Sequence, residues 1–97
     1  MSFFMKHLKD FLKENREKKG LLIREVAHAI HIDSALVSRY EKGERLPPQS
    51  SLQKFAETLD ISESVLTKYW LEDKILEQIK PYAETKEAMA IVEEGMI

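Results

Sequence analysis

The sequence predicts an all-α protein, and three observations support that expectation. Apolar residues recur at helical spacing in short, separate stretches. Most of these stretches are bounded by a residue suited to cap or break a helix. Strand-like alternation, internal repeats and low-complexity tracts are not evident anywhere in the 97 residues. A chain of this length holds one modest core and not two independent ones.

The elements follow in order. Met5, Leu8, Phe11 and Leu12 share a side, with Lys6, Lys9, Lys13 and Glu14 opposite, so a first helix should run from about Phe4 to Lys19. Gly20 is placed to end it in the left-handed conformation. Ile23, Val26, Ala27 and Ile30 form the apolar side of a short second helix, and Ala27 is small where two helices must approach closely. A turn follows at His31-Ile32. Asp33 then suits the start of a third helix, because its carboxylate can accept from the free amides of the first turn.

In the third helix Leu36, Val37 and Tyr40 fall on one side, while Ser34, Ala35, Ser38 and Lys42 point the other way, flanked by Arg39. Gly43 ends it, and Pro47-Pro48 imposes an extended connection. Leu52, Phe55, Ala56 and Leu59 make a fourth helix. Ser62 caps a fifth that carries Val65, Leu66, Tyr69 and Trp70. Glu72 and Asp73 interrupt that stripe, so either the helix bends or a new one starts near Asp73. Pro81 opens a last segment in which Tyr82, Met89 and Val92 share a face, ending at Gly95.

Composition narrows the function. Apolar residues make up 43% and charged residues 33%, as in a folded helical protein. The absence of cysteine removes disulfides and Cys-based zinc sites. The start offers no signal-peptide core, and no run approaches the roughly 20 apolar residues of a membrane span; a cytoplasmic protein is expected, with no membrane partner. Net charge is −2, but residues 1–48 hold ten Lys/Arg against seven Asp/Glu while residues 49–97 hold five against ten. A basic front and an acidic back are compatible with phosphate binding at one end, and argue against a charge-driven DNA coater. The segment Leu21–Pro47 itself reads as two short helices and a tight turn, with small polar groups and an arginine facing outward. Such a pair can set one helix in the DNA major groove, where each base pair presents a different edge.

Those residues carry a resemblance. Glu25-Val26-Ala27, Ile30, Ile32, the run Val37 to Gly43, Arg45, Pro47 and the Leu52…Phe55-Ala56…Leu59…Ile61-Ser62 close are similar to the XRE-type, phage-repressor-like helix-turn-helix family. With the first helix the likeness covers about two thirds of the chain. It implies a five-helix domain over residues 1–70 and a C-terminal helical extension over 71–97, a dimerisation element of the same domain. A short chain with a helical tail is most similar to the controller proteins of restriction–modification systems. The resemblance implies base contacts from Ser34, Ala35, Ser38 and Arg39. Arg39 leads, since its fork pairs bidentately with guanine. Phosphate contacts would come from Ile23 and Arg24 at the start of helix 2, and from Lys42, Gly43 and Arg45. Arg16 should pair with Glu41 and hold helix 1 against the third helix.

Three departures from the family pattern stand out. Leu22 and Ile23 replace a polar cap and a phosphate-contacting glutamine, His31 replaces the turn glycine, and Ser34 and Ala35 are short where relatives carry glutamines. A sizeable share of discrimination is therefore expected from DNA shape or bridging water.

The resemblance implies a homodimeric transcriptional regulator on pseudo-palindromic, double-stranded operators, with RNA polymerase blocked or recruited by occupancy. Val65, Leu66, Tyr69 and Trp70 are expected at a dimer seam; Tyr69 and Trp70 would also fit ordinary core, and the seam is preferred. An antitoxin or prophage-type repressor uses the same chemistry, and a protein-interaction module on this fold is the alternative from another class. Neither a nucleophile–base set nor a Gly-rich phosphate loop is present, so no enzyme, cofactor or small-molecule ligand is expected. His7, His28 and His31 lack paired ligands and read as surface or turn residues, with no metal.

Overall fold

The computed structural model describes residues 7–82. Within them the chain forms five α-helices: α1 (Leu8–Lys18), α2 (Ile23–Ile30), α3 (Ser34–Lys42), α4 (Leu52–Leu59) and α5 (Glu63–Ile79). Short 3-10 turns cover Gln49–Ser51 and Lys80–Tyr82, and no strand occurs among the described residues. The all-α expectation holds.

Each helix contributes its predicted apolar side to one core. Leu8 and Leu12 come from α1, Val26, Ala27 and Ile30 from α2, and Val37 and Tyr40 from α3. Leu52, Phe55, Ala56 and Leu59 come from α4, and Leu66 and Trp70 from α5. Tyr40 meets Phe55 edge-on, with centroids 6.1 Å apart. That geometry matches the positive edge of one ring to the negative face of the other. α3 packs on both α1 and α2, while α5 packs on α1 and α4, so among the described residues α3 is cradled on one side and bare on the other.

Helices α1 to α4 all end in the same way. A residue turns to positive φ, and the amide after it returns to the carbonyl five residues back. At Gly20 (φ 70°) and Gly43 (φ 75°) this conformation costs little. At His31 (φ 61°) and Asp60 (φ 55°) a side chain bears the steric penalty. His31 lies in the left-handed region as its place in the turn demands, and Ile32 N–H reaches Ala27 O at 3.0 Å.

Three expectations are corrected. The first helix does not pass through His7, which is extended (φ −82°, ψ 160°), so α1 starts at Leu8. The proposed start at Phe4, and Met5, lie outside the described residues. α1 starts at Leu8 beside Asp73, whose carboxylate accepts from Leu8 N–H at 2.9 Å and from His7 Nδ1 at 3.0 Å. The same contact disposes of a new helix at Asp73: α5 is a single helix through to Ile79, and this acid faces the end of α1.

The third correction concerns the seam. Leu66 is 0% exposed and Trp70 8%, so both fill this chain's own core and have little surface to offer a partner. Tyr69 stacks on Phe11, with centroids 4.3 Å apart. Of the four seam residues only Val65, 41% exposed, faces outward, and Leu71 and Ile75 are exposed beyond it. Met89 and Val92, and the extension from residue 83 onward, lie outside the described residues. No described helix is long and apolar enough to cross a membrane.

Candidate nucleic-acid interface

The bare side of α3 is set by how the helix begins and what it buries. Asp33 stays extended and its carboxylate accepts from Ala35 N–H at 3.0 Å, which fixes Ser34 as the first helical residue. Val37 and Tyr40 point into the core. At 100° per residue that leaves Ser34, Ala35, Ser38, Arg39 and Lys42 on the far side. Ser34, Ala35, Arg39 and Lys42 are exposed, and Ser38 is half-buried against its neighbours. Lys42 and Arg39 lie in the last turn, where cations also complement the helix dipole. Gly43 and Arg45 continue the exposed surface past the helix end.

At the start of α2, Leu22 is extended and has no side-chain cap to offer. Glu25 compensates for part of this, because its carboxylate accepts from Leu22 N–H at 2.8 Å. The amides of Ile23 and Arg24 fall in the first turn, where no helical carbonyl precedes them. Ile23 is half-buried and Arg24 exposed.

Arg16 and Glu41 tie α1 to α3. Arg16 Nε donates to Glu41 Oε2 at 2.7 Å and Nη2 donates to Oε1 at 2.9 Å, a bidentate pair with both side chains largely shielded from water. A third donor, Nη1, reaches Leu21 O at 2.8 Å, so the guanidinium also closes the corner between α1 and α2. The hydrogen bond to Glu41 raises the Arg16 pKa above its ordinary value against the opposing effect of burial, so the group stays charged.

Two features of the site escaped the sequence reading. Asp73 acts on α1 from α5, across 65 residues of chain, and no local pattern marks it. Trp70 Nε1 donates to Pro47 O at 2.7 Å and so anchors the connection that follows Arg45. The sequence shows the indole on the apolar stripe of α5 but not its acceptor.

Among the described residues no group of three His, Asp or Glu side chains could hold a metal ion. The assembled surface is a short helix with polar and cationic residues outward, flanked by helix-end amides and basic side chains. That arrangement fits a polyanionic groove better than a small apolar ligand. Residues 12–66, more than half of the chain, match a family model described as helix-turn-helix. No curated protein and no solved structure matches the chain significantly. The matched segment runs from Leu12 through α2, the His31 turn and α3 to Leu66, and the chain belongs to the XRE-type helix-turn-helix family of DNA-binding regulators.

Proposed function

We propose that this chain is a sequence-specific transcriptional regulator that binds pseudo-palindromic operators as a homodimer, in the role of a restriction–modification controller. The observation behind the proposal is the exposed row Ser34, Ala35, Arg39 on α3, with Ser38 beside it and Val37 and Tyr40 locked into the core behind. In a major groove the Arg39 guanidinium would pair with guanine O6 and N7, the two serines would bond bases or phosphates, and the Ala35 methyl would meet thymine. Lys42, Gly43, Arg45, Arg24 and the Ile23 amide would bind the phosphates on either side. The Arg16–Glu41 pair is a positioning device that sets α3 relative to α1.

The short side chains of Ser34 and Ala35 limit direct base bonds, so DNA shape and water carry part of the selectivity. Two copies would meet through the outer side of α5 and the extension to residue 97. Their separation would place recognition helices about 34 Å apart, or a multiple of that. Occupancy then blocks RNA polymerase or recruits it, in the cytoplasm. Antitoxin or prophage-repressor duty would use the same surface. A partner-capturing module would not need the cationic row.

The test is a genomic binding selection, in which purified protein retains sheared host DNA and the retained fragments are sequenced. Paired two-fold sites upstream of its own gene, beside a methyltransferase or nuclease gene, are the expected result. No enriched sequence at moderate salt would overturn specific recognition.

A further inference from the structure

We propose that α1 supplies a second line of DNA-backbone contacts through Lys9 and Lys13, alongside the recognition helix. This rests on the DNA-binding reading above and extends its phosphate contacts to an element that contributes none there. Lys9, Lys13 and Arg16 are four and three residues apart, so they share one side of α1, the side next to α3.

Lys13 is exposed and lines a cleft of about 200 Å³ together with Ser38 and Lys42. Ile23, Arg16 and Glu41 complete the lining. Glu41 is the one carboxylate in that lining, and it is already held by both Nε and Nη2 of Arg16. No ion pair among the described residues engages Lys9, Lys13, Lys42 or Arg45. The cleft therefore gathers three cations around one carboxylate, which Arg16 already engages. Ser38 lies both in its wall and in the row that would face the bases, so a strand read by α3 has its phosphates beside Lys13 and Lys42.

Lys9, one turn earlier on α1, lies beside the C-terminal end of α3 and would reach the same strand there. Its stem lies across Gly43, where an added Cβ would sit 2.8 Å from Lys9 Cδ. With Gly43 and Arg45, Lys9 lines a groove of about 290 Å³. The acids in that groove are engaged, Asp73 with the end of α1 and Glu77 with Lys74 at 3.5 Å. Gly43 thus serves two purposes, the positive φ of the helix end and the close approach of a lysine stem. Like charges gathered this closely repel one another in the free protein and gain by displacing counterions from a polyphosphate.

The test measures binding by fluorescence anisotropy across a salt series. The duplexes are a retained genomic fragment and a mixed-sequence duplex of equal length. Lys13→Gln should weaken both about three- to tenfold and lower the salt slope by about 1, and Lys9→Gln/Lys13→Gln should lower it by about 2. Lys13→Arg should keep the slope. Lys18→Gln, on the opposite side of the same helix, should change nothing. An unchanged slope in the double variant, with wild-type binding intact and an unaltered circular dichroism melt, would overturn the α1 contacts alone. A loss confined to the genomic fragment would also overturn them, since backbone contacts do not depend on sequence. A wild-type chain that binds neither duplex would overturn the DNA-binding reading itself.

Discussion

The indole of Trp70 closes the molecule onto Pro47: Nε1 donates to the proline carbonyl at 2.7 Å, with both residues buried. The acceptor lies in an extended Pro-Pro segment where no helix or sheet ladder can reach it. One side chain from α5 therefore satisfies a buried carbonyl, fills the core and fixes the path of the chain just beyond Arg45.

Removing the donor while keeping an aromatic ring separates these contributions. Trp70→Phe leaves the Pro47 carbonyl without its partner and should cost about 1–3 kcal/mol. Trp70→Ala adds a cavity and should cost about 3–5 kcal/mol. Urea unfolding followed by far-UV circular dichroism reads both, since the only tryptophan is lost with the substitution. Equal midpoints for Trp70→Phe and wild type would show that the bond adds nothing.

The pattern of legible and illegible features follows from range. The core sides of α2, α3 and α4 were readable because each rests on spacing within three turns, and Ile30, Val37 and Phe55 lie where that spacing puts them. The caps at Asp33 and Ser62 were readable for the same reason. Trp70 and Leu66 were misassigned because an apolar stripe does not announce which surface it meets. A core and a dimer seam demand the same residues. Asp73 was read as an interruption, since its partner at Leu8 is distant in sequence and is a backbone amide. At the interface, α3's outward row was legible from what it cannot bury. Spacing places the lysines of α1 only on the side opposite Leu8 and Leu12, and the folded arrangement is what brings them beside Ser38 and Gly43.

Arg16→Met should destabilise by about 3 kcal/mol, because it strands the shielded Glu41 carboxylate and the Leu21 carbonyl together. Arg16→Met/Glu41→Leu should recover much of that loss by removing the orphaned charge. The pH dependence has a definite sign. The folded Arg16 pKa is raised, so its contribution is complete below the unfolded value and is lost only as pH rises through the folded one. Stability linked to Arg16 should thus stay flat across neutral and mildly alkaline pH. Thermal melts of the three proteins over that range check both points, and an unaffected Arg16→Met melt would remove the pair from the stability argument.

Two helix ends at positive φ, one carrying a side chain and one a glycine, make a matched comparison. His31→Gly should stabilise by about 0.5–1 kcal/mol, less than the full left-handed penalty because glycine also loosens the unfolded chain. Gly43→Ala should do the reverse by about 1–2 kcal/mol, since it adds strain at φ 75° and pushes against Lys9. Chemical denaturation gives both values. A stabilising Gly43→Ala would show that the corner relaxes freely.

Asp73 predicts a tertiary cap. Asp73→Ala should cost about 1–2 kcal/mol, the worth of a helix N-cap with an ionised acceptor. Asp73→Asn should retain part of it, because the amide oxygen still accepts from Leu8 N–H. His7→Ala should cost less, as that ring is about half exposed. Amide hydrogen exchange locates the effect: faster exchange in the first turn of α1, with α4 unchanged, is the expected signature. Uniform acceleration across all helices would mean that Asp73 supports the core generally and not α1 in particular.

In the proposed dimer, Val65, Leu71 and Ile75 would decide how two copies meet. Each is more than 40% exposed on α5, whereas Leu66 and Trp70 on the opposite side are committed to the core. Substituting a residue that is already exposed costs little folding free energy, so Leu71→Lys/Ile75→Lys should leave the melt of an isolated copy nearly unchanged. In the proposed dimer the same changes bury two lysines per copy at the seam, and association should be lost. Size-exclusion with light scattering should then report a monomer. Binding to a paired operator should weaken by at least tenfold, while binding to a single half-site stays as in wild type. The double loss and the half-site control together distinguish a seam residue from a DNA contact. A variant that remains dimeric would place the seam away from this side of α5, and a variant that loses half-site binding as well would show that α5 shapes the recognition helix within one copy.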